Sequence, residues 1–591
     1  MRWVANRIRG FLHQLFAPPH SHGMEVTRKN FKQILPIFQK AVANAEFVAL
    51  DTEFTGLRTN SERYSHYYDS PQLRYSESRD SASSFLLVQL GICTFEWENP
   101  ETRKTLIAKP FNFYLFPDPT EKPFLDKRFL CQTSSVRFLS EHDFDFNKLF
   151  RDGISYLRPC DEELMRDEYE ASEMRKESMQ TNAIPNRQLD IDFLKSLKEK
   201  LSQLSSSESS KIGDSIEMQP FSRFQRLLVY QEVRNSFPNL LCDKVMKSFD
   251  SSSFLKITRI DLDEKSEIQS RKKRQRHKDF KGKLKHSIGL RKIIDILSTY
   301  EKCVIAHNCL LDLLHIHNTL IAPLPTGLRE FSLSLRKYLP NIIDNKAMIG
   351  MHSVLTSRFP STSVENAFRT VNSGGFNGPN IIFHKDFGRY SEKGIAHEAG
   401  FDAFMTGVIF ARCCALLEHS SNPSEQKDLC SVSKNCYHPT ESPTTNQSVN
   451  KVYLYRAPFQ MDLINQELWL SGVADVVRVS LKEDIEAKEG EVYAVTTNHI
   501  INWFSKVWKH SIRVNWVSKH EVFVRLFDEH STEKTSSDLI DCAIRDIQHL
   551  SSEIPFVDVQ RYEEYHRSII SADNDDVSMS NDDDIDVDID V

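Results

Sequence analysis

The chain has 591 residues, 40% hydrophobic and 27% charged, with a formal net charge of −7. That length is a prior for about three or four domains, and the composition is that of a globular protein, not a disordered or fibrous one. The eleven cysteines show no Cys-x-x-Cys spacing, so they read as reduced intracellular thiols and exclude a disulfide framework or zinc site; no apolar run is expected to reach the ~20 residues of a membrane span.

Residues 1–23 carry Arg2, Arg7 and Arg9 and no acid, with Trp3, Val4, Ile8, Phe11, Leu12, Leu15 and Phe16 at helical spacing. They read as a targeting segment, similar to a mitochondrial presequence, or as a frayed terminal helix. Next comes the stretch FVALDTEFTGL, Phe47 to Leu57. Its apolar start predicts a strand buried on both faces. Residues i and i+2 of a strand share a face, so Asp51 and Glu53 stand side by side at its end. Two ionised carboxylates there repel unless a cation joins them. SFLLVQLGICTFEW, Ser84 to Trp97, predicts a hairpin or paired strands.

Ser202 to Lys211 is a Ser-rich break, followed by a helical stretch with Phe221, Phe224, Leu227 and Leu228 on one face. Arg271 to Lys285 then holds nine Lys or Arg against Asp279 alone. This run reads as a solvated linker, a phosphate contact or a nuclear address. Ser420 to Asn450, rich in Ser, Pro, Asn and Thr, reads as a linker. The tail from Asp573 carries nine Asp and no Lys or Arg, and without it the balance moves from −7 to +2. The expected division is a first nuclease-type part at 24–175, an insertion at 176–260, a basic linker at 261–287, a second part at 288–418, a linker at 419–450, a last unit at 451–550 and an acidic tail at 551–591.

The chemistry lies in three segments. KCVIAHNCLLDLLHIHN, from Lys302, passes from an apolar strand into a helix, with His307, Asn308 and Asp312 near the junction. Leucines surround Asp312, and an acid in such a setting needs a partner. His315 and His317 read as ordinary helix polarity. In AHEAGFDAFMTGVIFARCCALL, His397 and Asp402 fall near the start of one long helix. They converge if His397 lies on the loop leading in, and Glu398 reads as a favourable acid at the helix N-terminus. Asp51, Glu53, Asp312 and Asp402 suit hard divalent ions, which favour carboxylate oxygens, and a His near neutrality suits a general base. Together they fit a phosphodiesterase site.

LDTEFTGL, AHNCLLD and HEAGFDAFMTG, in this order, closely resemble the DEDD-type exonucleases with a catalytic His, and within them the poly(A)-specific ribonuclease family. FNFYLFP, LCQTSSVRFL, DFDFNKLFRDGISYL and FQRLLVYQ carry the resemblance further, so that it covers most of residues 24–550. It implies an α/β RNase-H-like fold interrupted by a small α/β nucleic-acid-binding domain and followed by an α+β domain of the RNA-recognition type. It also implies that Asp51, Glu53, Asp312 and Asp402 hold two Mg²⁺, with Mn²⁺ able to substitute, and that His397 deprotonates the attacking water. Phe54 and Leu57 would pack against terminal nucleotides, and Asn308 and Lys346 would contact the RNA. Val136 and Phe138 would shape its path. The implied partners are single-stranded RNA 3′ ends and a second copy of the chain. The implied compartments are nucleus and cytoplasm, with the mitochondrion as the alternative.

Two departures stand out. Tyr230 follows Arg226 where the inserted domain's Arg-x-x-x-His motif has His. The family's cap-stacking Trp has no match, since Trp503 in VTTNHIINWF falls several residues late and reads as helix core; cap binding is therefore not carried over. KVYLYRA and EVFVRLF read as central strands of the last unit, with Tyr455 or Phe523 exposed for stacking. A trimmer of small RNA 3′ ends and a silent RNA-binding scaffold are the alternatives, and the scaffold predicts a missing acid.

Overall fold

The largest sheet is assembled from segments on both sides of a long insertion. The computed structural model describes residues 25–59, 66–118, 126–178, 183–206, 208, 210–219, 222–246, 253–391, 396–421, 430–481, 495–527, 537–549 and 556–568. The arginine-bearing segment 1–23 and the aspartate-rich tail from Asp573 lie outside these. Residues 1–158 and 289–591 form one unit and 159–288 another.

The first unit begins with β1 (Glu25–Val26), α1 (Phe31–Asn44), β2 (Phe47–Phe54), α2 (Pro71–Ser84), β3 (Leu87–Trp97), β4 (Thr105–Tyr114), α3 (Thr133–Glu141) and α4 (Phe146–Asp152). Residues 84–97 hold no hairpin. Leu87–Trp97 is one strand, with β2 antiparallel on one side and β4 antiparallel on the other.

The second unit starts at Pro159, earlier than residue 176, and runs to Ile288. It contains α5 (Pro159–Ser178), α6 (Gln188–Ser205), β5 (Ser215–Met218), α7 (Arg223–Ser236), β6 (Leu240–Met246), β7 (Ser253–Arg259) and α8 (Leu262–Ile288). The strands form an antiparallel sheet in the order β5–β7–β6. Leu197, Leu201, Val229, Val233, Leu255 and Ile257 fill the core beneath it. The buried face of α7 is Gln225, Leu228, Val229, Glu232 and Val233, one step round from the expected face. Phe221 lies outside the described residues, and Phe224 and Leu227 are only half-buried. The expected basic linker is helix over its whole length, because Lys, Arg and Gln are good helix formers even without an apolar stripe. Tyr169 of α5 stacks on Phe280 of α8 at 4.0 Å, and Arg276 pairs with Glu173 at 2.8 Å.

The first unit resumes with α9 (Arg291–Tyr300), β8 (Cys303–Ala306), α10 (Leu310–Ile316), α11 (Leu328–Arg336), β9 (Ile342–Asp344), α12 (Asn345–Met351), α13 (Val364–Asn372), β10 (Asn380–Phe383) and α14 (Ala399–Ser421). Its sheet runs β1–β4–β3–β2–β8–β9, with β10 also beside β4. β8 is parallel to both β2 and β9. Helix α14 is long and apolar enough to cross a membrane, but 89% of its most apolar window is buried. It is a core helix, packed across β2, β3 and β4. Two glycines allow that approach. A Cβ on Gly407 would lie 2.1 Å from the Phe95 ring, and one on Gly91 would lie 1.9 Å from the Ala399 carbonyl oxygen. Much of the expected linker is also ordered against this core: over 430–450, Val432, Cys436 and Tyr437 are buried, and Tyr437 meets Phe47 at 5.2 Å.

The last domain of this unit runs from 476 to 561, past the expected limit at 550. Its elements are β11 (Val476–Leu481), α15 (Thr497–Phe504), β12 (Ile512–Trp516), β13 (Glu521–Leu526), α16 (Ser537–His549) and β14 (Phe556–Arg561), with strand order β12–β13–β11–β14. KVYLYRA is not part of this sheet; among the described residues Lys451–Val452 pairs with Met461–Asp462 as a separate two-stranded ladder. Val477, Val479, Val522 and Val524 pack under the two helices with Ile500, Phe504 and Trp508. Trp503 is partly buried against the same cluster. The opposite face is covered as well. Phe523 is buried, with its ring 5.5 Å from Tyr68 and 4.9 Å from Tyr562, and the Arg478 guanidinium lies 4.1 Å over Tyr565. Phe523 is therefore not an exposed stacking residue: the short helix after β14, residues 562–568, and the loop before α2 occupy the surface it would use.

Candidate active site

Phe47–Leu50 of β2 is fully buried, as expected for a strand flanked on both sides, but β8 pairs with β2 only as far as Ala49. Beyond that point the strand end opens, with Asp51 and Glu53 half-buried on one face. β8 ends at Ala306, and its loop turns sharply at Asn308, whose φ is +61°. The buried carboxylate of Asp344 holds that turn. It accepts the backbone N–H of Asn308 at 2.8 Å and of Cys309 at 3.1 Å, caps α12 through Lys346 N–H at 2.9 Å, and accepts Tyr453 N–H at 3.0 Å. The turn delivers Asp312 in the first helical turn of α10, where the Thr52 hydroxyl donates to its Oδ1.

The start of α14 is clamped by side chains from the sheet. Gln89 Oε1 accepts Ala399 N–H at 2.8 Å, and Asn112 Oδ1 accepts Gly400 N–H at 3.2 Å. Glu398 stands directly before the helix, as expected, and is also buried, accepts from Asn112 Nδ2 at 2.8 Å and pairs with Arg389 at 3.0 Å. The chain enters through His397 in the left-handed region at φ +65°, and its N–H lies 3.4 Å from Asp402 Oδ1. So His397 does lie on the loop, and Asp402 on the helix. Carboxylate oxygens of Asp51, Glu53 and Asp402 all lie within 4.8 Å of one another.

Burial, then the neighbouring Asp402 and Asp312 carboxylates, pushes the Asp51 and Glu53 carboxyls well up. Burial lifts Asp312 to about 6 against the Thr52 hydrogen bond, and lifts Asp402 to about 7 against the His397 N–H. Asp312 is not part of that three-acid group but acts on it electrostatically; crowded carboxyls that resist ionisation fit a hard divalent cation, whose charge removes the repulsion and whose ligands are oxygens. Burial and then His142 lower the His397 imidazole, which favours its neutral form. Its Nε2 lies 3.4 Å from Glu365 Oε1, and its ring meets Phe138 at 4.8 Å and His142 at 4.1 Å.

Residues 26–410 match the CAF1 family ribonuclease. The chain belongs to that family. It is also 28% identical over 530 residues to a poly(A)-specific ribonuclease, PARN, of Xenopus laevis, covering 85% of this chain and 77% of that one. A PARN of Arabidopsis thaliana is 30% identical over 459 residues, covering 68% and 65%. A poly(A)-specific ribonuclease PNLDC1 of Mus musculus is 29% identical over 401 residues, covering 67% and 72%.

In this CAF1 ribonuclease the expected substrate contacts separate into groups. Phe138 is exposed and touches His397, while Val136, two residues earlier on α3, is half-buried. Leu57 is exposed and lines a cleft of about 340 Å³ together with Asn308. Lys346 Nζ lies 4.5 Å over the Tyr453 ring. Phe54 differs from its expected role: it is buried, stacked on His315 at 4.0 Å, and supports the strand end from beneath. His315 and His317 are likewise core residues, not helix-surface polarity. Asp344, Thr52, Glu365 and His142 went unnoticed in the sequence. For Asp344 a signal existed, an acid directly after the apolar pair Ile342-Ile343 and before a helix, which is the pattern of an N-cap.

Proposed function

We propose that this CAF1 ribonuclease is a Mg²⁺-dependent 3′-to-5′ exoribonuclease that shortens poly(A) and releases 5′-AMP. The observation that carries this reading is the convergence of Asp51, Glu53 and Asp402 within 4.8 Å, with the His397 N–H 3.4 Å from Asp402 Oδ1. Asp51, Glu53, Asp312 and Asp402 would hold the ions, two by likeness to the family, with Mn²⁺ able to replace Mg²⁺. When bound, the ions supply positive charge against the carboxylates and against the charge that develops on the phosphate. His397 takes a proton from the attacking water. Its Nε2 faces Glu365, so the tautomer protonated there leaves Nδ1 as the base. Thr52 and the Asp402–His397 contact hold two of the acids in orientation, and Phe138 walls one side of the imidazole. The curated relatives named for poly(A) support the substrate. We infer a homodimer working in nucleus and cytoplasm, or in the mitochondrion if residues 1–23 direct it there.

The test is hydrolysis of 5′-labelled A-tailed and mixed-sequence RNA, capped and uncapped, with Mg²⁺. We expect stepwise shortening from the 3′ end, faster on the A-tail and insensitive to the cap. Asp51→Asn should lower the rate at least about a hundredfold while leaving Tm unchanged or higher, since it removes one of several repelling acids. Equal rates on both RNAs would favour the 3′-end trimmer, and full activity in Asp51→Asn would overturn the assignment.

A further inference from the structure

The cleft beside the acids is walled by the two segments that carry them. Leu57 and Arg58 continue from β2, and Asn308, Leu310 and Leu311 lead into Asp312. A third wall is the face of α2 that carries Arg74, Glu77 and Asp80, and the fourth comes from elsewhere: Tyr453 and Tyr455 belong to the stretch after the ordered linker, outside both the nuclease sheet and the last domain's sheet. That stretch is fastened in place. The buried Arg74 of α2 donates from Nη1 to the Tyr455 carbonyl at 3.1 Å, Asp344 accepts Tyr453 N–H, and Lys346 lies over the Tyr453 ring. Tyr455 itself is 51% exposed, with the Arg456 guanidinium 5.2 Å from its ring centroid.

A large aromatic held by its backbone yet left open to solvent, with cations beside it, suits a flat base attached to a phosphate. Base–aromatic stacking is sequence-tolerant and is strengthened by arginine nearby. At about 340 Å³ the cleft is at the small end of ligand pockets, large enough for one nucleotide but not a folded structure. We propose that this cleft is a nucleotide subsite in which Tyr455 stacks on a base of the substrate RNA upstream of the 3′-terminal residue, with its phosphate toward Arg58 and away from the Glu77 and Asp80 carboxylates of the α2 wall. The proposal rests on the reading of the acids as a site for an RNA 3′ end. It gives the 451–457 segment, expected as a strand of the last domain, a role in holding the RNA instead.

The experiment uses the full chain carrying Asp51→Asn, with Mg²⁺, and a nine-residue oligoadenylate bearing one 2-aminopurine at each of the last four positions in turn. We expect the fluorophore to be quenched at one interior position. Adding Tyr455→Ala should abolish that quenching and weaken binding about tenfold, while Tyr455→Trp retains both. Binding within twofold and an unaltered quenching pattern in Tyr455→Ala would overturn the proposal, as would failure of the parent to bind the oligomer. Because the binding measurement needs no turnover, an active-site variant that binds and stacks while the unmodified chain fails to hydrolyse A-tailed RNA would sink the exonuclease reading and leave the cleft standing.

Discussion

Asp312 and Asp402 bind protons more tightly in the folded chain than in the unfolded one, at about 6 and about 7. Between the ordinary carboxylate range and those values the folded protein holds the extra protons, so metal-free stability falls as pH rises through that window. A divalent ion acts in the opposite sense, since it binds the ionised carboxylates and competes with their protons. Mg²⁺ should therefore raise Tm more at pH 8 than at pH 5, by the equivalent of roughly 3 kcal/mol at a hundredfold excess over its dissociation constant. Scanning calorimetry with and without Mg²⁺ checks this, and equal shifts at both pH values contradict it. The same residues mark how far the sequence was legible. Asp51 and Glu53 were visible because a strand repeats every two residues. His397 and Asp402, five apart, were ambiguous until the left-handed turn at His397 was known.

Among the elements, α14 determines whether the site forms, because it brings Asp402 to β2 by lying directly on β3. Gly91 is where the two backbones meet, with no space for a methyl group. Gly91→Ala should destabilise the chain by about 1–3 kcal/mol or more and weaken Mg²⁺ binding in proportion, since the displaced turn precedes Asp402. Urea unfolding together with a metal titration tests this; a stable variant with unchanged affinity would refute it. The helix was readable from its apolar length, but its partner was not, because Gly91 in a strand pattern carries no address for what packs against it. Asp344 was hidden for a related reason. Its hydrogen bonds reach Asn308 and Tyr453, and nothing local in IIDNKAM announces them. The basic run misled because charge without apolar periodicity reads as linker, whereas α8 finds its packing at Phe280 and Arg276.

Over the whole molecule, the last domain is joined to the nuclease sheet's surroundings through Tyr68, which meets Phe523 and accepts a hydrogen bond on its carbonyl from the Tyr562 hydroxyl. Tyr68→Ala opens a large buried gap there and should cost about 3 kcal/mol or more. We expect it to separate an early calorimetric transition for residues 476–561 from the main one; a single unshifted transition would show that the contact does not hold the domain. The four acids and the presence of an insertion could be read from the residues, and the RNase-H-like fold class from the family resemblance, but the covering of Phe523 could not, since that strand's pattern is the same whether its second face meets water or tyrosine.

The order in which the clustered carboxylates leave the ribosome follows from the place of α14 late in the chain, although it packs on the middle strands of the sheet. Asp51 and Glu53 emerge early, while Asp402 comes about 350 residues later, which at about 5–20 residues per second is roughly 20–70 s of synthesis. Early in that interval β3 can pair with β2 and β4, but β8, β9 and the helix that completes the acid cluster do not yet exist. The acid cluster of Asp51, Glu53 and Asp402 is thus a feature of the finished chain alone, because one of its three members is supplied only once the insertion and α14 have been made.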